Sequence, residues 1–300
     1  LDHVIDPLPE AIRTRYNLPE LRTALQWVHT PKKTSHAEAA RKRFAFEEIF
    51  YIQIAKQRER KETQSSRAYA IRTEDEHTEK FTSRFPFPLT SAQARAIKVI
   101  AKDFSSDVPM SRLLEGDVGS GKTAVAATTA YAIATTHPYQ GVNDRIALPK
   151  DFGNLQVAYM APTEILARQH FLSFIEYFQH LPINIGLITG SGCMKFPSKA
   201  NPNEPTDISR AQLLKWVKNG EIPILIGTHA LIQKSVEFKH LAYVVIDEQH
   251  RFGTAQRRAL AKKDGRLPHL LSMTATPIPR TLALTLYGDL DLTLLDEMPR

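Results

Sequence analysis

The stretch RLLEGDVGSGKTAVAATTAYAIA, residues 112–134, carries three signals in succession. An apolar run, RLLEG, leads in, and an Ala-rich segment with helical character leads out. Between them Gly116-x-x-x-x-Gly121-Lys122-Thr123 has the spacing of a phosphate-binding loop in its proper strand-to-helix setting. Gly116, Gly119 and Gly121 let the backbone curl until its N–H groups converge on a phosphate. Ser120 adds one more amide to that cradle, and the helix behind it contributes the positive end of its dipole. Lys122 reaches terminal phosphates as a point charge, and the Thr123 hydroxyl suits Mg²⁺. The plain alternative is a flexible Gly/Ser turn, but the flanking strand and helix favour a nucleotide. ATP and Mg²⁺ are therefore the expected cofactors.

Working outward, short apolar runs alternate with helical stretches: LQVAYMAP (155–162), INIGLITG (183–190), IPILIGT (222–228), YVVIDE (243–248) and HLLSMTAT (269–276). They do not alternate polar with apolar, and they are rich in Val, Ile and Leu. Strands buried on both faces of a parallel sheet read this way, and the helices between them supply right-handed crossovers. Upstream, LTSAQARAIKVIAKDF (89–104) is amphipathic. The expected fold is α/β, a P-loop NTPase lobe with a mostly parallel sheet flanked by helices over residues 85–300. Two Pro-, Gly- and Asn-rich stretches, 137–154 and 192–205, read as surface insertions.

Asp247 and Glu248 end the run YVVIDE. An acid after a strand is ordinary by itself. Paired with a phosphate loop, Asp247 sits where a buried parallel strand delivers ligand-binding residues, suited to fixing Mg²⁺ together with Thr123. Glu248, one residue on, is placed to orient or deprotonate a water for in-line attack on the γ-phosphate. Lys122, Asp247 and Glu248 are the candidate catalytic residues.

The chain of 300 residues is 42% hydrophobic, enough for a sizeable core, with a net charge of +7. That basic balance permits a nucleic-acid partner without requiring one. A single cysteine, Cys193, excludes an internal disulfide and a Cys/His zinc cluster and fits a reducing cytoplasm. No apolar run approaches the ~18 residues of a membrane span. Residues 1–84 differ from the rest. LPELRTALQWVHTP reads as a short helix stopped by Pro31. A longer helix follows, with Ser35 and Glu38 at capping-box spacing and Phe46, Ile49, Phe50 and Ile54 as a docking stripe. The polar stretch from there to Arg84 offers no core material. This region is expected to be a helical extension.

A P-loop followed by Asp-Glu is shared by transporters, recombinases, kinase-like enzymes and motors. DEQH (247–250), APTEILARQH (161–170), GTHAL (227–231) and SMTATPIPRT (272–281) resemble superfamily 2 helicases, and within them RecG-type branch-migration helicases. The transcription-repair coupling translocases share TATPIPRT and HRFG but are similar to sequences with DEEH, where this chain has Gln249. The resemblance covers residues 85–299 and weakly ARKRFAFEEIF. It implies a RecA-like lobe, ATP-driven movement on branched double-stranded DNA, and a monomer. It implies that Gln93 reads the adenine edge, and that Gln249 and His250 couple hydrolysis to Thr274, Ala275 and Thr276. It implies that Pro162, Thr163, Glu164, Thr189, Gly190, Thr228 and His229 line the DNA backbone. Thr163 is also a natural N-cap. The start LDHVIDPLPE, without Met or a signal-peptide pattern, and the stop after LLDEMP read as a piece of a longer protein lacking the wedge domain and second motor lobe. Weak nucleotide binding and poor hydrolysis are expected of the piece alone. A DNA-binding scaffold without turnover is the alternative from another class, disfavoured by the intact Lys122, Asp247 and Glu248.

Overall fold

The computed structural model describes residues 5–72, 75–136, 154–248, 265–275 and 289–299. The chain divides into two compact units, residues 1–60 with 278–289, and residues 61–277 with 290–300.

The first unit is helical: α1 (Glu10–Tyr16), α2 (Leu21–His29) and most of α3 (Thr34–Gln64). Its core is small, built from Leu8, Leu18, Ala24 and Ala40. At its centre lies a charge. Arg43 is fully buried and donates to Asp6 at 2.8 Å, with Glu47 at 3.2 Å. Asp6 also accepts the amides of Leu8 and Leu21, each at 2.9 Å. The expected stripe on α3 is only partly used. Phe46 packs on Tyr16 with ring centroids 4.9 Å apart, whereas Ile49 is 47% exposed. Ser35 is not the cap, because the helix already begins at Thr34.

The second unit is organised by one sheet. Its described strands are β1 (Ser111–Gly116), β2 (Gln156–Met160), β3 (Ile185–Ile188), β4 (Cys193–Phe196), β5 (Thr206–Asp207), β6 (Ile224–Gly227), β7 (Leu241–Ile246), β8 (His269–Thr274) and β9 (Asp291–Leu295). Their order is β5-β4-β3-β6-β2-β7-β8-β1-β9. All neighbours are parallel except β4, which runs antiparallel to β3 and β5. All six apolar runs are strands. The stretch 192–205, expected as a surface insertion, instead contributes β4. The other expected insertion lies almost wholly outside the described residues.

Five described α-helices lie wholly within this unit. α5 (Ser91–Phe104) starts on a capping box, with Thr90 and Gln93 each bonding the other's backbone. α6 (Lys122–Ala134) is buried nearly all round, which its run of Ala permits, since small side chains let it pack against the sheet and three neighbouring helices. α7 (Glu164–Phe178) is capped by Thr163, whose hydroxyl accepts from the Leu166 amide. α4 (Asp75–Thr82) corrects the expectation that residues up to Arg84 hold no core material. Phe81 is 2% exposed and stacks on Tyr131 at 4.3 Å, and Tyr69 and Ile71 join the same core. That segment is tied down by Ile71 N–H donating to Phe104 O and by His269 Nε2 donating to Tyr69 O. α8 (Arg210–Asn219) is capped by Ser209. No described helix is long and apolar enough to cross a membrane.

Candidate functional site

The parallel register lines up the C-terminal ends of the strands. Met160 lies opposite Gly227 and Ile246, Ile188 opposite Gly227, Ile246 opposite Ser272, and Thr274 opposite Glu115. Residues that follow these positions therefore share one edge of the sheet, the edge where open α/β sheets bind ligands.

At β1 that edge carries the glycine loop. Gly119 and Gly121 have φ of +85° and +83°, left-handed values that disfavour a side chain. A Cβ at Gly116 would lie 2.6 Å from Ser120 Oγ and 2.8 Å from Leu295 Cβ, and one at Gly121 would collide with the Gln93 amide. Ser120 is fully buried, and its Oγ has no hydrogen-bond partner among the described residues. The loop thus presents backbone where side chains are excluded, an orphaned hydroxyl, and the N-terminus of α6. Lys122 Nζ donates to Gly116 O at 2.6 Å and to Asp117 O at 2.9 Å. Burial pushes the Lys122 pKa down, and Asp247, then Asp117 and Glu248, oppose that without cancelling it.

Asp247 follows β7 directly, and its own amide extends the ladder to Met160 O at 2.8 Å. Its carboxylate is enclosed: Oδ1 accepts from the Glu248 amide at 3.1 Å and Oδ2 meets His170 Nε2 at 2.6 Å. Glu248 is exposed and holds φ of +47°, a left-handed value unusual for glutamate. The Tyr159 hydroxyl lies 3.3 Å from His170 Nδ1 and 3.5 Å from its Nε2. Burial, reinforced by the charge of Asp247, holds the phenol well above its ordinary pKa. His170 and Tyr159 were not singled out in the sequence. The available signal was a histidine inside the inward stripe Ala167, Phe171, Phe174 of α7.

Gln93 stands beside the loop. Its side chain is fully buried, with Oε1 accepting from the Thr90 amide at 2.9 Å and Nε2 donating to Ser120 O at 2.8 Å. Ala92 N–H meanwhile donates to Glu297 Oε2 at 3.0 Å, and Arg95 pairs with Asp296 at 2.8 Å. The segment after β9 is thereby fastened to the start of α5.

The remaining candidates continue along the same edge. Pro162, Thr163 and Glu164 follow β2, Thr189 and Gly190 follow β3, and Thr228 and His229 follow β6. Glu164 Oε2 accepts from Ser191 Oγ at 2.6 Å, and this bond is the largest influence holding its carboxyl below the usual range. Gly190 packs so closely that a Cβ there would meet Glu164 Oε1 at 2.7 Å. Thr189 is buried, and its hydroxyl turns inward to Gly192 O at 3.1 Å, so its side chain does not line an outer surface. Thr274 closes β8, and Ala275 is half-buried beside it. Gln249, His250 and Thr276 lie outside the described residues. No group of three or more His, Cys, Asp or Glu suited to a metal occurs among the described residues. A phosphate-linked Mg²⁺ does not need one, because it keeps waters and borrows phosphate oxygens.

Residues 90–285 match the DEAD/DEAH box helicase family. The chain is 42% identical over 299 residues to the ATP-dependent DNA helicase RecG of Aquifex aeolicus, covering 97% of this chain and 34% of the relative. It is 44% identical over 299 residues to that of Bacillus subtilis, covering 99% and 39%. It superimposes on a solved structure of RecG bound to a three-way DNA junction with a TM-score of 0.73 and 37% identity, covering 99% of this chain and 36% of that one. The chain therefore spans between a third and two fifths of the length of the relatives it matches.

Proposed function

The chain belongs to the DEAD/DEAH box helicase family, and on that premise we propose that it is the ATP-binding motor lobe of a RecG-like translocase that remodels branched double-stranded DNA at stalled forks and junctions. The observation that carries this reading is the shared edge. The glycine loop with Lys122, the acids Asp247 and Glu248, and the backbone-lining candidates on β2, β3 and β6 all follow C-terminal strand ends of one parallel sheet. The lobe begins near Lys61, where the second compact unit starts, with the helices before it as an extension.

In this reading the loop amides and the end of α6 bind the β- and γ-phosphates of ATP. Lys122 adds a positive charge whose lowered pKa marks its partial desolvation. Thr123 and Asp247 would hold Mg²⁺, which when bound neutralises phosphate charge. Glu248 orients the attacking water, and ADP and phosphate leave. Gln93 supports the loop through the Ser120 carbonyl. Pro162, Thr163, Glu164, Gly190, Thr228 and His229 meet the phosphodiester backbone, where small hydroxyls and amides carry no sequence information. Action in the cytoplasm as a monomer completes the proposal.

The test is Lys122→Ala, assayed for ATP hydrolysis and for binding to a three-way DNA junction. Hydrolysis is expected to fall by about a hundredfold or more, the scale set by removing one preorganised donor to a developing charge, with junction binding unchanged. Undiminished hydrolysis in the folded variant overturns the reading.

A further inference from the structure

Asp247 does not stand alone. Its Oδ2 is 2.6 Å from His170 Nε2, and both side chains are close to nine-tenths buried, at 12% and 11% exposure. A carboxylate only accepts, so Nε2 donates to Oδ2. The Tyr159 hydroxyl lies against the same ring, 3.3 Å from Nδ1 and 3.5 Å from Nε2. The contacts run from Tyr159 through His170 to Asp247. Asp247 is the side chain assigned to Mg²⁺, and the two residues behind it lie in β2 and α7, outside both the loop and the acid motif.

We propose that His170, with Tyr159 behind it, is a positioning residue that fixes the Asp247 carboxylate for Mg²⁺. The inference rests on the metal reading of Thr123 and Asp247. Its physical basis is general: residues that bond the outer atoms of a ligating carboxylate set its rotamer and basicity, and their loss lowers metal affinity about 10–100-fold. A histidine that merely fills the core would affect stability and leave the metal dependence alone.

The experiment measures binding of a fluorescent ADP analogue with and without Mg²⁺, for the wild type, His170→Ala, His170→Gln, Tyr159→Phe and Asp247→Asn. Circular dichroism confirms that each variant is folded. Wild type is expected to bind more tightly with Mg²⁺. In His170→Ala that enhancement falls about tenfold or more, while Mg²⁺-free affinity holds. His170→Gln, which keeps a donor to Oδ2, restores most of it, and Tyr159→Phe shows a smaller loss. In hydrolysis, the Mg²⁺ concentration for half-maximal rate rises in His170→Ala. A folded His170→Ala or Tyr159→Phe protein with undiminished enhancement overturns the proposal and leaves the metal reading intact. No enhancement in wild type, or an undiminished one in Asp247→Asn, overturns the metal reading and this inference with it. If His170→Ala does not fold, the Gln and Phe variants decide on the same criteria.

Discussion

A methyl group at position 121 would meet two obstacles at once. The backbone there holds φ of +83°, and the new Cβ would run into the Gln93 amide. A left-handed conformation costs an alanine about 1–2 kcal/mol, and displacing Gln93 breaks its bond to Ser120 O as well. Gly192 offers a control, since a Cβ there meets nothing within 4 Å. Gly121→Ala is expected to lose nucleotide binding and to melt lower by about 2–4 °C per kcal/mol for a unit of this size. Gly192→Ala is expected to change neither. Parallel melting curves and nucleotide titrations check the pair; equal behaviour of the two variants contradicts the close-approach argument. The glycine spacing was readable because the pattern is local and each position answers to a backbone requirement. The role of Gln93 was not, because its partner lies 27 residues away in sequence and only the folded loop brings them together. His170 was hidden for a related reason: a histidine in an apolar helical stripe looks the same whether it packs or positions.

At the level of elements, strands buried on both faces announced themselves and strands on the margin did not. β2, β3, β6, β7 and β8 are buried at every position, so their sequences are mostly apolar and do not alternate with exposed polar residues. β4 is half-buried at its two middle residues, β5 has two residues, and β9, at an end of the sheet, is fully buried only at Leu295, so none carries that signature. The N-cap of α7 was legible from Thr163, and it separates two roles. The Thr163 hydroxyl accepts from the Leu166 amide at 3.3 Å, so Thr163→Ala is expected to cost about 1 kcal/mol of stability. Thr163→Asp keeps a capping oxygen and adds a charge favourable to the helix dipole, so it is expected to melt near wild type. The same charge repels a phosphodiester backbone, so junction binding is expected to weaken in Thr163→Asp alone. Calorimetry and a junction-binding titration on both variants check this. Normal binding by Thr163→Asp removes Thr163 from the DNA surface while leaving its capping role.

For the whole molecule, the decisive question is where the motor lobe starts. Polarity marked residues 65–84 as connecting material, and a boundary at Phe85 followed from it. The fold places three large side chains from that stretch in the main core. Tyr69 is 5% exposed, Ile71 fully buried, and Phe81 2% exposed within a cluster of Tyr131, Phe85 and Phe178. Three isolated hydrophobic residues among charges make no periodic pattern, which is why composition concealed them. Each such side chain stabilises by about 1.5–3 kcal/mol when buried, so together they contribute roughly 5–9 kcal/mol. A domain's net stability is about 5–15 kcal/mol, so losing all three is comparable to the whole margin. The ties from Ala68 N–H to Asp107 O and from His269 Nε2 to Tyr69 O would go with them. A chain beginning at Phe85 is therefore expected to be expressed as aggregate or to lack a cooperative melt, although it keeps every residue assigned to ATP, Mg²⁺ and DNA. A chain beginning at Lys61 retains all three side chains and both ties, and it is expected to melt cooperatively and to bind nucleotide. Expression of the two truncations, followed by thermal denaturation and nucleotide titration, separates a lobe defined by its motifs from one defined by its core. Cooperative folding of the chain that starts at Phe85 would show that the segment before it only decorates the sheet.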